Sequence, residues 1–84
     1  MNWYKIAQMS ALMSMSYEDI FRALRKLGFA IVRQSGSHTI WKNPINGQSL
    51  SVPYHKGRQP NYYVLNLGIH KNLGMNAREF ASYA

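Results

Sequence analysis

The chain has 84 residues with ten Lys and Arg, three acids, three His and no Cys, for a formal net charge of +7. A chain of this length is one small domain with little core to spare, so we take residues 1–84 as a single unit with an extension at 1–14 and a core at 15–84. Without cysteine there are no disulfides, zinc–thiolate sites or thiol nucleophiles.

The first segment, MNWYKIAQMSALMSM, is mildly apolar but interrupted by Gln8, Ser10 and Ser14. It is too short and too polar for a membrane span and has no clear small-residue cleavage site, so it reads as mature protein, and the cytoplasm is the expected location. A helix with Trp3, Ile6 and Ala7 facing inward is the reading for it. MSYEDIFRALRKLGF carries helix marks at both ends. Ser16 is the N-cap, Asp19 stands at the capping-box position, and Met15 and Ile20 are placed as a hydrophobic staple. Ile20, Phe21, Leu24 and Leu27 share one face, Arg22, Arg25 and Lys26 the other, and Gly28 ends the helix.

FAIVRQS, HTIWKN and QSLSVPYH read as three strands, separated by a Gly36-Ser37 turn and by the turn PING. Pro53 places the third strand at an edge or at its end. HKGRQPN is a basic loop. In YYVLNLGIHKNLG the spacing of Leu65, Ile69 and Leu73 is helical, although Gly68 costs about 1 kcal/mol relative to Ala. Gly74 stops this helix. Asn76 and Glu79 then cap a short final one, with Met75 and Phe80 as its staple. The fold class is α+β: a helix, three antiparallel strands, a helix and a short C-terminal helix.

Charge is distributed unevenly. The acids Glu18, Asp19 and Glu79 all fall in first turns of expected helices, where they satisfy free N–H groups and the dipole. Between Ile20 and Arg78 there is no carboxylate, whereas Arg22, Arg25, Lys26, Arg33, Lys42, Lys56, Arg58, Lys71 and Arg78 lie there. A polyanion or an acidic protein is the natural partner. No carboxylate pair remains for glycosidase-like or two-metal chemistry, no HxxxH or HxH spacing supports a metal site, and no glycine-rich nucleotide cradle is present. His38, His55 and His70 remain. One reaction needs no more than such a set: RNA cleavage by the ribose 2′-OH, in which the protein supplies a base, an acid and a cation. Composition makes this permissible and no more.

The run ALRKLGFAIVRQSGSHTIWKNPINGQSLSVPYHKG resembles the HicA-type toxin family. The pattern is a helix ending in Leu-Gly-Phe, a strand ending in Arg-Gln, then Gly-Ser-His, a turn, and a strand ending in Val-Pro-x-His. It covers residues 17–58 well and continues more loosely through NLGMNAREF. The resemblance implies a fold like a double-stranded-RNA-binding domain and a metal-independent, mRNA-cleaving toxin, neutralised by a HicB-type antitoxin and needing no cofactor. It makes His38 the catalytic histidine, with Gly36 and Ser37 beside it and Val52, Pro53 and His55 as the second motif. Residues 1–14 extend beyond the usual family start, the NPING turn is one residue longer, and the usual Gly-Thr-Leu segment is not legible before the last long helix.

If the second turn centres between Ile45 and Asn46, His38 opposes Pro53 and His55 is its diagonal neighbour, about 7–8 Å away on one face. His55 is then a candidate second catalytic or phosphate-contacting group. Lys56 and Arg58 are candidate RNA contacts at the same end, with Gly36 and Ser37. His70 is expected to be structural or on the surface, and Trp41 and the Tyr62–Tyr63 pair are expected in the core. Two other readings stay open: a non-catalytic RNA-binding module, and a basic module that docks an acidic protein.

Overall fold

A computed structural model describes residues 9–84 of the chain. Residues 9–13 are helical and bring Leu12 into the core, fully buried. Trp3, Ile6 and Ala7 lie outside the described residues. Helix α1 (Tyr17–Lys26) starts on the expected capping box, in which Ser16 Oγ accepts the Asp19 N–H and the Asp19 carboxylate accepts the Ser16 N–H. Met15 and Ile20 are both buried behind it. At the far end the Gly28 N–H donates to the Arg25 carbonyl and the Phe29 N–H to the Leu24 carbonyl, the paired bonds of a Schellman turn.

Strands β1 (Ala30–Ser35), β2 (His38–Lys42) and β3 (Ser49–Pro53) form one antiparallel sheet in the order β1-β2-β3. The β1–β2 hairpin closes on two residues, Gly36 and Ser37, between the paired Ser35 and His38. Gly36 has φ +59° and Ser37 has no positive φ, the arrangement of a turn that demands glycine at its first central position. In the longer β2–β3 loop the Asn43 side chain does the holding. Its Oδ1 accepts the Ile45 N–H, while its Nδ2 donates to the Leu27 carbonyl at the end of α1.

After β3 the chain runs through helix α2 (Tyr62–Gly68), a π-helical segment (Ile69–Leu73) and helix α3 (Ala77–Ala81). The sequence pattern predicts one continuous helix over residues 62–74. The structure widens its second half instead. In an α-helix each four-residue step drifts about 40° around the axis. The wider π turn lessens this drift, so Leu65, Ile69 and Leu73 all stay buried. Gly74 then ends the segment in the left-handed conformation. At α3, Asn76 Oδ1 accepts the Glu79 N–H at 2.7 Å.

The sheet therefore has two unlike faces. Thr39, Trp41, Leu50 and Val52 point into the core with Ile20, Leu24, Leu65, Ile69 and Phe80. Fully burying a side chain such as Phe80 stabilises the fold by about 1.5–3 kcal/mol. Among the described residues the opposite face has no helix on it, and β1 extends beyond the helical cover, with all six residues exposed. This is an α+β fold with helices on one side of a three-stranded antiparallel sheet, consistent with the double-stranded-RNA-binding-domain type.

Candidate functional site

Period-two alternation along the strands sorts the candidate residues. His38 pairs with Ser35 on one side and with Pro53 on the other, the register expected from the sequence. Its neighbour Thr39 points the other way and is 4 % exposed. The Thr39 hydroxyl donates to the Val52 carbonyl at 2.7 Å and accepts the Trp41 indole N–H at 3.0 Å. His38 is thus an exposed side chain on a strand locked from behind.

Pairing continues one step past β3: the Tyr54 N–H donates to the Ser37 carbonyl at 2.6 Å. Alternation then returns His55 to the side of the sheet that carries His38, two residues beyond Pro53. The His55 N–H donates to the Tyr17 hydroxyl at 3.3 Å, and the His55 carbonyl accepts the Arg58 N–H at 3.1 Å. Lys56, Gly57 and Arg58 form an exposed turn at this end of the hairpin. Gly36, Ser37, His38, His55 and Lys56 are therefore gathered at one end of the sheet. Arg58 borders a cleft on the helical side, between the start of α1 and the segment after β3.

The register adds two cations that the sequence reading did not select. The two-residue turn sets a register in which Arg33 pairs with Ile40, on the same face as His38, and a bulge at Val32 shifts only the part of β1 that precedes it. Lys42 lies on that face too, opposite Ala30 and Ser49. The face also presents the hydroxyls of Ser35, Ser49 and Ser51. Alternation back from the Gly36-Ser37 turn, through Ser35 and Gln34, already assigns Arg33 to this face. Among the described residues the one ion pair is Arg22–Asp19 at 3.0 Å, so these cations are unpaired.

The acids serve mainly at helix starts. The Ser16 backbone N–H, followed by the Ser16 hydroxyl and the Arg22 guanidinium, holds the Asp19 carboxyl below its ordinary value. Among the described residues no three His, Cys, Asp or Glu side chains gather as a metal site. Trp41 is buried and Tyr62 half-buried, the latter donating its hydroxyl to the Met15 carbonyl at 2.7 Å. Burial pushes the Tyr62 phenol up. Tyr63, expected in the core with them, is 79 % exposed. His70 is exposed on the π segment, away from the other two histidines in the fold.

A family model described as the HicA toxin of bacterial toxin–antitoxin systems matches residues 17–67, more than half of the chain. The chain belongs to the HicA toxin family. The matched span starts with α1 and ends inside α2, so it includes the whole sheet, the Gly-Ser-His turn and the basic loop of this HicA protein. Neither a curated protein nor a solved structure matches the chain. Among the described residues no helix is long and apolar enough to cross a membrane.

Proposed function

We propose that this HicA protein is an endoribonuclease toxin that cleaves mRNA in the cytoplasm and is held inactive by a HicB-type antitoxin. The observation that supports it best is that the histidine of Gly-Ser-His stands at the open end of the sheet, inside the span matched to the family. In this reading His38 removes the proton from a ribose 2′-OH. The oxygen attacks the adjacent phosphorus, the bond from phosphorus to the 5′-oxygen breaks, and that oxygen is protonated by His55 or by water. Lys56 offsets charge on the phosphate, Arg33 and Lys42 offset charge on phosphates further along the face, and Gly36 and Ser37 leave room for the backbone to approach. The product is a 2′,3′-cyclic phosphate, opened afterwards by water. A general base of this kind contributes roughly 10²–10⁴ in rate.

The test is to incubate the purified chain and its His38→Ala variant with a defined RNA in excess EDTA. Wild-type protein should cleave RNA, spare DNA and leave a cyclic or 3′-phosphate end. His38→Ala should bind RNA, stay folded and not cleave. A 5′-phosphate end, or full activity in His38→Ala, would reject the mechanism. RNA binding without cleavage by wild-type protein would favour a non-catalytic RNA-binding module.

A further inference from the structure

On the helical side of the same end lies an open cleft of about 480 Å³, bordered by Ser16, Tyr17, Glu18, Tyr54, Arg58 and Tyr62 among others. We propose that this cleft receives a nucleobase of the bound RNA and that Glu18 makes it select guanine. The proposal takes its RNA from the ribonuclease reading above, but the cleft has its own chemistry.

Three observations carry it. The walls are aromatic and fixed. Tyr17 and Tyr54 meet edge to face at 4.8 Å, Tyr17 is tied to the His55 backbone, and Tyr62 is tied to the Met15 carbonyl. Tyrosine faces and edges at a preformed cleft suit a flat heterocycle, because base stacking on such rings needs no particular sequence. Next, the cleft holds two opposite charges, Glu18 and Arg58, that form no ion pair with each other. Both are free to meet a ligand that offers N–H donors and an anion together, as a nucleotide does. Guanine is the base with two adjacent donors, N1–H and the 2-amino group, on its Watson–Crick edge. An acceptor-only carboxylate matches that edge in a bidentate manner. Arg58 then takes a phosphate. Finally, two residues of the cleft hold the backbone of the segments that carry the histidines. Tyr54 donates to the Ser37 carbonyl, one residue before His38, and Tyr17 holds the backbone of His55. A base seated here sets its chain against the segment that carries His55, at the end of the sheet where His38 stands.

The experiment is an NMR titration of the full ¹⁵N-labelled chain with 5′-GMP, 5′-AMP, 5′-CMP and 5′-UMP, with RNA cleavage assayed separately. GMP should shift the amide signals of Tyr17, Glu18, Tyr54 and Arg58 saturably and bind most tightly. Glu18→Gln should lose about tenfold of the preference for GMP over AMP while keeping the free spectrum of the folded protein. Arg58→Ala should weaken all four nucleotides alike. Shifts confined to His38, Arg33 and Lys42, or four equal affinities unchanged by Glu18→Gln, would overturn the proposal. If the chain cleaves RNA but the cleft stays silent, this inference fails and the ribonuclease reading stands. If the cleft selects GMP but no RNA is cut, the reverse holds.

Discussion

The Tyr17 hydroxyl, at the first turn of α1, accepts the backbone N–H of His55 at 3.3 Å, across 38 residues of sequence. This contact connects the helical layer to the segment that carries the second histidine. Tyr17→Phe removes it and leaves an exposed N–H that water can satisfy. The stability change should be about 1 kcal/mol or less by chemical denaturation. RNA cleavage should fall several-fold if His55 takes part, because its segment loses its anchor. Unchanged cleavage would show that this contact has no bearing on the reaction.

Arg33 and Lys42 share the open face with His38, and both are unpaired. Each phosphate they neutralise releases counterions. Arg33→Gln and Lys42→Gln should each make the slope of log affinity against log salt less steep, by about 0.7 for single-stranded RNA. Binding of non-cleavable RNA at a series of salt concentrations checks this. A full slope in the double variant would place the RNA elsewhere.

A Cβ at Gly68 would stand 2.7 Å from Leu50 Cδ1, inside van der Waals contact. Gly68→Ala gains about 1 kcal/mol in helix propensity. It must also displace a side chain that is 2 % exposed, and overpacking of this kind costs about 1–3 kcal/mol. The net change should be a loss of about 1 kcal/mol, the packing cost outweighing the propensity gain. Adding Leu50→Val makes room, so the double variant should be more stable than the sum of the single effects predicts.

The Asp19 carboxyl is held below its ordinary value by the Ser16 N–H first, then by the Ser16 hydroxyl and Arg22. Its folded pKa is depressed, so its stabilising contribution is complete above the unfolded value of about 3.9 and is lost as pH falls through the folded one. The melting temperature of wild-type protein should therefore exceed that of Asp19→Asn at pH 6, with the gap closing as pH is lowered through 4 towards 2. A gap that widens in acid would contradict the assignment.

Much of this was legible beforehand, and the residues show why. Ser16, Asp19 and Asn76 act on backbone groups within four residues, so local sequence reveals them. The pairing of His38 with Pro53 was legible because turn position and alternation together set a register. Gly68 was visible as a cost without a reason, since the reason, Leu50, lies 18 residues away on a strand. The π segment was hidden because α and π turns share nearly the same apolar spacing over one turn. The Tyr17–His55 contact, the Asn43–Leu27 contact and the pairing of Ile31 with Trp41 depend on tertiary docking or on a bulge, and no local pattern encodes them. The role proposed for His38 rests on the family motif, not on its spacing.

The alternation of β2 has a consequence for how substitutions along it will spread. Thr39 and Trp41 face the core, whereas His38, Ile40 and Lys42 face outward from the same five-residue strand. In a saturation scan selected for escape from toxicity, escape should come at neighbouring positions by two routes. Changes at residues 39 and 41 disarm the protein by depleting the folded molecule, so abundance falls with toxicity. If His38 is the base proposed above, changes at residue 38 should leave abundance intact and remove only the harm. An inactive but abundant variant still occupies the antitoxin, so in a cell that also makes wild-type toxin it would free that toxin, whereas a Thr39 or Trp41 variant would not.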